Sequence, residues 1–194
     1  MVIGPGSDRK RRVGPAGPAD DALAALLGMP GRLVSVTFRG TRIRILADHD
    51  RAAQQARTAA RRPVTDPFHL ELLTGPADAP GWPRPVALHA VIEARADPLL
   101  AVQRASRWAS YAARVAVTPA GPVSDQARLE AQLRDVWLLT AAGEGRAFAV
   151  VVAGEGGPVA GAARGLPHRL LDELVWAELD RREEGAAERH SHAM

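Results

Sequence analysis

Apolar and polar positions change rhythm several times along this chain, and each change marks an element. Arg32–Phe38 (RLVSVTF) and Thr41–Ala47 (TRIRILA) alternate apolar with polar residues, with only Arg39–Gly40 between them. Alternation broken by two residues predicts a β-hairpin. Before it, Asp20–Asp21 lead into ALAALLGM, a short helix start with acids at its positive end and Gly28 near its close. After it, 48–62 (DHDRAAQQARTAARR) reads as a polar helix whose apolar face is only alanine, which predicts a surface position.

The middle of the chain carries the strongest pattern. Asp66–Leu73 (DPFHLELL) and Val86–Glu93 (VALHAVIE) read as two strands turned by a Pro/Gly-rich stretch. A helix follows from Asp97 to about Ala113, with Asp97 as N-cap and Pro98 in the first turn. Arg114–Thr118 is a short strand, and Ser124 caps a further helix to about Arg134. Asp135–Thr140 and Arg146–Ala153 form a second hairpin, and Pro167–Arg182 is an amphipathic helix with Leu170, Leu171, Leu174, Val175 and Leu179 inward. The strand–helix–strand unit over 86–118 implies a parallel pair joined by a right-handed crossover. The whole is an α/β fold, a mixed central sheet flanked by helices.

Composition narrows the range of chemistry. The chain has 194 residues, 46% of them hydrophobic, which suits one soluble domain with a real core. Residues 1–19 are rich in Gly, Pro and basic residues and predict a disordered basic arm, 20–182 the single α/β domain, and 183–194 a disordered tail. The net charge of +3 comes entirely from the arm, because residues 20–194 are balanced. No cysteine is present, which excludes disulfides, thiolate nucleophiles and cysteine zinc sites. The only lysine is Lys10, so no lysine serves the folded part. The opening residues lack the apolar core of a secretory signal, and no apolar run approaches the roughly 20 residues that span a bilayer. A cytoplasmic protein without membrane contact is expected.

One constellation points to chemistry. If the strands at 66–73 and 86–93 pair symmetrically about their turn, Asp66 sits opposite Glu93. Alternation puts Arg95 on the side of Glu93. Two carboxylates held together need a cation, and Mg²⁺ or Mn²⁺ suits a carboxylate pair that also receives phosphate oxygens. Such a metal activates water and offsets charge at phosphorus, while Arg95 holds the phosphate; the plainer alternative is a salt bridge between Glu93 and Arg95 at the strand end.

The segment VALHAVIEARADPLLAVQRASRWASYAARVAVTPAG resembles the core of the PD-(D/E)XK, restriction-endonuclease-like nucleases. Glu93-Ala94-Arg95 stands at the family's Glu-x-Lys, and Asp97-Pro98-Leu99-Leu100 at its helix start. Trp108 and Tyr111 stand at its aromatic positions, and Ala112-Ala113-Arg114-Val115 at its helix-to-strand join. The resemblance covers roughly residues 60–142. It implies a restriction-endonuclease-like core and metal-dependent hydrolysis of DNA phosphodiesters. Asp66 would be the "PD" aspartate, and Asp66, Glu93 and the Ala94 carbonyl the metal ligands. Three positions depart from the pattern: Arg95 replaces lysine, Arg104 stands where glutamine is usual, and Val64-Thr65 separate Asp66 from Pro63. Arginine stays charged and is bulkier than lysine, so a member that binds without cutting, on nucleic acid or a protein partner, is the alternative.

Other motifs carry less. GEGGPVAG at 154–161 lacks the Gly-Lys-Ser/Thr of a phosphate loop and has Val159 where a dinucleotide fingerprint needs glycine. His69 and His89 fall on the two predicted strands, with His89 on the face of Glu93, and read as ordinary core or surface residues. Trp108 and Tyr111 at helical spacing read as core.

Overall fold

A computed structural model describes residues 18–57, 61–75, 83–142, 147–158 and 164–191. Six strands form one sheet in sequence order: β1 (Arg32–Phe38), β2 (Thr41–His49), β3 (Val86–Ala94), β4 (Ala113–Pro119), β5 (Trp137–Ala142) and β6 (Ala147–Val152). β1, β2 and β3 are mutually antiparallel, β3, β4 and β5 run parallel, and β6 turns back against β5. The helices are α1 (Pro18–Leu27), α2 (Arg51–Ala56), α3 (Pro67–Thr74), α4 (Pro98–Ser106), α5 (Asp125–Leu133) and α6 (Leu166–Ser191). The expected α/β architecture with a mixed sheet is present. No helix among the described residues is long and apolar enough to cross a membrane.

A bulge on β3 decides which residues face which core. Leu46 pairs with Ala90 and Ala47 with Leu88, so His89 is an extra residue on its strand. The alternation resets there. Val86, Leu88 and Val91 join one core with α6, while Ala90 and Ile92 face the other with α1. Glu93 therefore lies on the Val91 face. Its parallel neighbour Ala116 packs with Ala101 and Val102 of α4 and Ala131 of α5. So α4, α5 and α6 share one face of the sheet, and α1 packs on the opposite face. His89 pairs instead with Asp48 at 3.4 Å, not on the face of Glu93 as simple alternation predicts.

The largest correction concerns 66–73, expected as a strand and found as helix α3. Asp66 is its N-cap, its side chain accepting from the His69 amide at 2.7 Å, with Pro67 in the first turn. Leu70 and Thr74, four apart, are buried, while Phe68 and Leu72 stay exposed. The antiparallel neighbour of β3 is β2, so the ladder that was to face Asp66 with Glu93 does not exist. Three smaller differences concern helix ends. The helix expected over 48–62 is confined to Arg51–Ala56, started by Asp50 and ended at Arg57 in an extended conformation, and it buries Gln54. The helix from Asp97 ends at Ser106, before a run of turns. The tail expected to be disordered from 183 continues α6 through Ser191, as its Glu, Ala and Arg residues favour. The basic arm lies outside the described residues except for its last two positions, which begin α1.

Candidate functional site

At the C-terminal end of β3 the strand gives way to α4, and Glu93, Ala94 and Arg95 stand at that junction. Glu93 is 6% exposed, held under Trp108. Trp108 Nε1 donates to Glu93 Oε1 at 3.2 Å, and Arg95 meets Glu93 Oε2 at 3.1 Å. The same guanidinium donates to the Ala94 carbonyl at 2.9 Å. One arginine thus engages two of the three atoms that a metal would need. Asp66 is engaged elsewhere, capping α3. With Asp66 held at the start of α3 and the half-exposed Arg95 bridging Glu93 and the Ala94 carbonyl, the residues present do not assemble the expected three-ligand site.

Trp108 is anchored by an aromatic group. Phe38, Trp108 and Tyr111 contact one another with centroids 5.5–6.2 Å apart, and His168 stacks on Tyr111 at 4.2 Å. Trp108 and Tyr111 are therefore packing residues, as their spacing implies, and Trp108 also positions the Glu93 carboxylate. No local pattern signals that bond, since 15 residues separate the pair.

The β1–β2 turn stands at the same end of the sheet. Thr37 pairs with Arg42, and Arg44 with Ile92, so Arg39 and Arg42 flank the end of β3. Both are exposed, and neither forms an ion pair among the described residues. Arg39 sits at φ 49 and Gly40 at φ 74, the two left-handed positions of a type I′ turn. Such a turn favours Asn-Gly, and a side chain like arginine costs about 1 kcal/mol there. The guanidinium lies over the Phe38 ring, 5.6 Å from its centre. Arg39→Asn should raise stability by about 1 kcal/mol, read as a higher urea midpoint at unchanged slope. An unchanged or lower midpoint would show that the contact of Arg39 with Phe38 offsets the strain of the turn.

His49, Asp180 and Glu183 bring their ligand atoms within 4.8 Å of one another. The hydrogen bonds around them oppose a metal. Gln54 Nε2 donates to the Pro85 carbonyl at 2.7 Å and stands 3.0 Å from His49 Nδ1, while its Oε1 accepts from Arg51. His49 Nδ1 must then accept, so Nε2 carries the proton and faces Glu183 Oε1 at 3.2 Å. A metal needs that nitrogen bare, and Arg51 already holds Glu183 Oε2 at 2.6 Å. Burial, reinforced by Arg51, pushes the His49 pKa below its ordinary value. With the folded value below the unfolded one, this group's stabilising effect is complete above about pH 6.5 and is lost as pH falls through the folded value. Urea midpoints compared at about pH 7 and about pH 5 should fall further for wild type than for His49→Gln. Equal falls would remove His49 as the cause.

A different ion pair went unseen in the sequence. Arg57 and Glu173 have fully buried side chains, with Arg57 NH1 donating to both carboxylate oxygens at 2.9 and 3.1 Å. The Val64 amide donates to Glu173 at 2.8 Å, and Trp176 lies under the guanidinium, 4.8 Å from its ring centre. These residues are 116 apart, and only a charged residue on the inner side of α6 hinted at a partner. Comparison with known proteins adds no relative: no family model, no curated protein and no solved structure matches this chain.

Proposed function

We propose that this chain is a cytoplasmic, restriction-endonuclease-like module that binds DNA without cutting it. The observation that carries the reading is Arg95, whose guanidinium spans the Glu93 carboxylate and the Ala94 carbonyl. A permanent cation there compensates Glu93 without the water activation that hydrolysis requires. The strand–helix–strand–helix–strand order over 86–142, where the family resemblance lies, supports the core. The unpaired Arg39 and Arg42 beside Arg95 support a polyanionic ligand, because guanidinium groups pair with phosphates through fixed forks of donors.

Three measurements on the purified chain test this. Calorimetric titration with Mn²⁺ or Mg²⁺ should give no saturable heat. Plasmid incubated with either ion should stay uncut. Anisotropy of a labelled duplex should report binding that weakens with salt. Metal-dependent cleavage abolished by Glu93→Gln would replace the reading with that of an active nuclease. Absence of duplex binding at low salt would remove the nucleic-acid ligand.

A further inference from the structure

His168 stands in the first turn of α6, next to Pro167, and only 8% of its surface is exposed. Its ring stacks on Tyr111 with centroids 4.2 Å apart, and Nε2 stands 3.1 Å from the Ser110 hydroxyl. Nδ1 is buried and has no hydrogen-bond partner. A neutral imidazole suits this place. An imidazolium would add a second N–H with no acceptor and a charge to bury.

The charged groups around the ring also oppose a proton. Arg164 precedes α6 and Arg84 precedes β3, and both disfavour a further positive charge on the ring. Asp172, one turn on along α6, is already shared by these two guanidiniums, 3.2 Å from Arg84 and 3.1 Å from Arg164. Tyr111 supplies no anion, because burial pushes its phenol above the ordinary range despite Arg39 and Arg164 nearby. Burial and Arg164 push the His168 pKa below its ordinary value, against the Ser110 backbone, which favours the proton.

We propose that His168 is an acid-sensitive pin at the start of α6: on taking up a proton it lets go of Ser110 and Tyr111 and slackens the support of Trp108 beside Glu93. The ring reaches the site through direct contacts. Tyr111 meets Trp108 edge-on with centroids 5.5 Å apart, and Trp108 Nε1 donates to Glu93. With the pin closed, the stack holds the indole in place; with it released, Arg95 remains to hold the carboxylate. Linkage sets the direction. The pinned imidazole binds its proton less readily than a freed one, so neutral pH favours the closed form. Each unit of pH lost between the two values moves the balance towards release by up to about tenfold. Asp172 acts in the same sense: burial raises its pKa, and once protonated it leaves both guanidiniums uncompensated beside the ring. The device does not depend on what the Glu93 site binds.

NMR between about pH 7.5 and about pH 5 reads both ends of the device. The His168 Cε1–H resonance, identified by its Overhauser contact with the single tyrosine, reports the proton. The Trp108 indole N–H, identified by its loss in Trp108→Phe, reports the site. Both should shift with one midpoint, below that of a free histidine, and return when the pH is restored. Arg164→Gln should raise both midpoints together, because it removes positive charge beside the ring. His168→Gln should abolish the indole step. His49→Gln should leave it, since His49 is held by Gln54 and Glu183 instead. An indole that stays still while His168 titrates overturns the proposal, as does a step that survives His168→Gln. So does a His168 that takes up no proton before the whole fold is lost. Should His168→Gln fail to fold, the wild-type curves decide, and two different midpoints overturn the proposal.

Discussion

Replacing Glu173 by alanine should cost this fold about 3–5 kcal/mol, seen as a large drop in the urea midpoint. Both partners of the Arg57–Glu173 pair are inaccessible to solvent, so the variant leaves a guanidinium charge in a dry interior. It also removes the acceptor of the Val64 amide. The two losses act on one strip of chain, because Arg57 and Val64 bracket the crossing between α2 and α3. The double variant Arg57→Met with Glu173→Leu should recover most of the loss, since a pair removed together leaves no unmatched charge. A single variant within about 1 kcal/mol of wild type would mean that water reaches the pair.

Removing Arg39 and Arg42 together should change how duplex binding responds to salt. Each guanidinium that neutralises a phosphate contributes about 0.9 to the steepness of log K against log salt, so the double alanine variant should lower it by about 1.8. Arg62→Ala serves as the control, because Arg62 lines a cleft beside α6 with Pro63, Asp180 and Glu184. If the control lowers the steepness by as much per charge as the double variant, the binding is diffuse and the hairpin tip has no special role. If the double variant leaves the steepness intact, the ligand contacts lie elsewhere.

Local signals made most of the fold legible. The two hairpins follow from alternation and short breaks, and Asp97-Pro98 and Ser124 start helices where caps were expected. At 66–73 the apolar content suggests a strand, but the cap decides the structure. Asp66-Pro67 is the same helix-start signature as Asp97-Pro98, and it takes the same role. That one residue type explains why the site was only half legible. Glu93 and Arg95 share a strand end and could be placed by alternation. Asp66 depended on a long-range pairing that no local pattern specifies. The contacts of Glu93 with Trp108 and of Arg57 with Glu173 likewise arise only from packing across the sheet. The reset at His89 was invisible because nothing in VALHAVIE marks an extra residue.

That reset leaves β3 one residue longer than its pairing with β2 requires. Substituting His89 changes one side chain, whose partner is the partly exposed Asp48. Deleting it would bring Leu88 and Ala90 together opposite Ala47 and Leu46, which are already neighbours, so the ladder would close without a slip. Val86, Leu88 and Val91 would stay in the α6 core, Glu93 would stay by Trp108, and Ala90 and Ile92 would stay on the α1 side. His89 is thus a spare link, the one residue of β3 whose loss exchanges no inside position for an outside one.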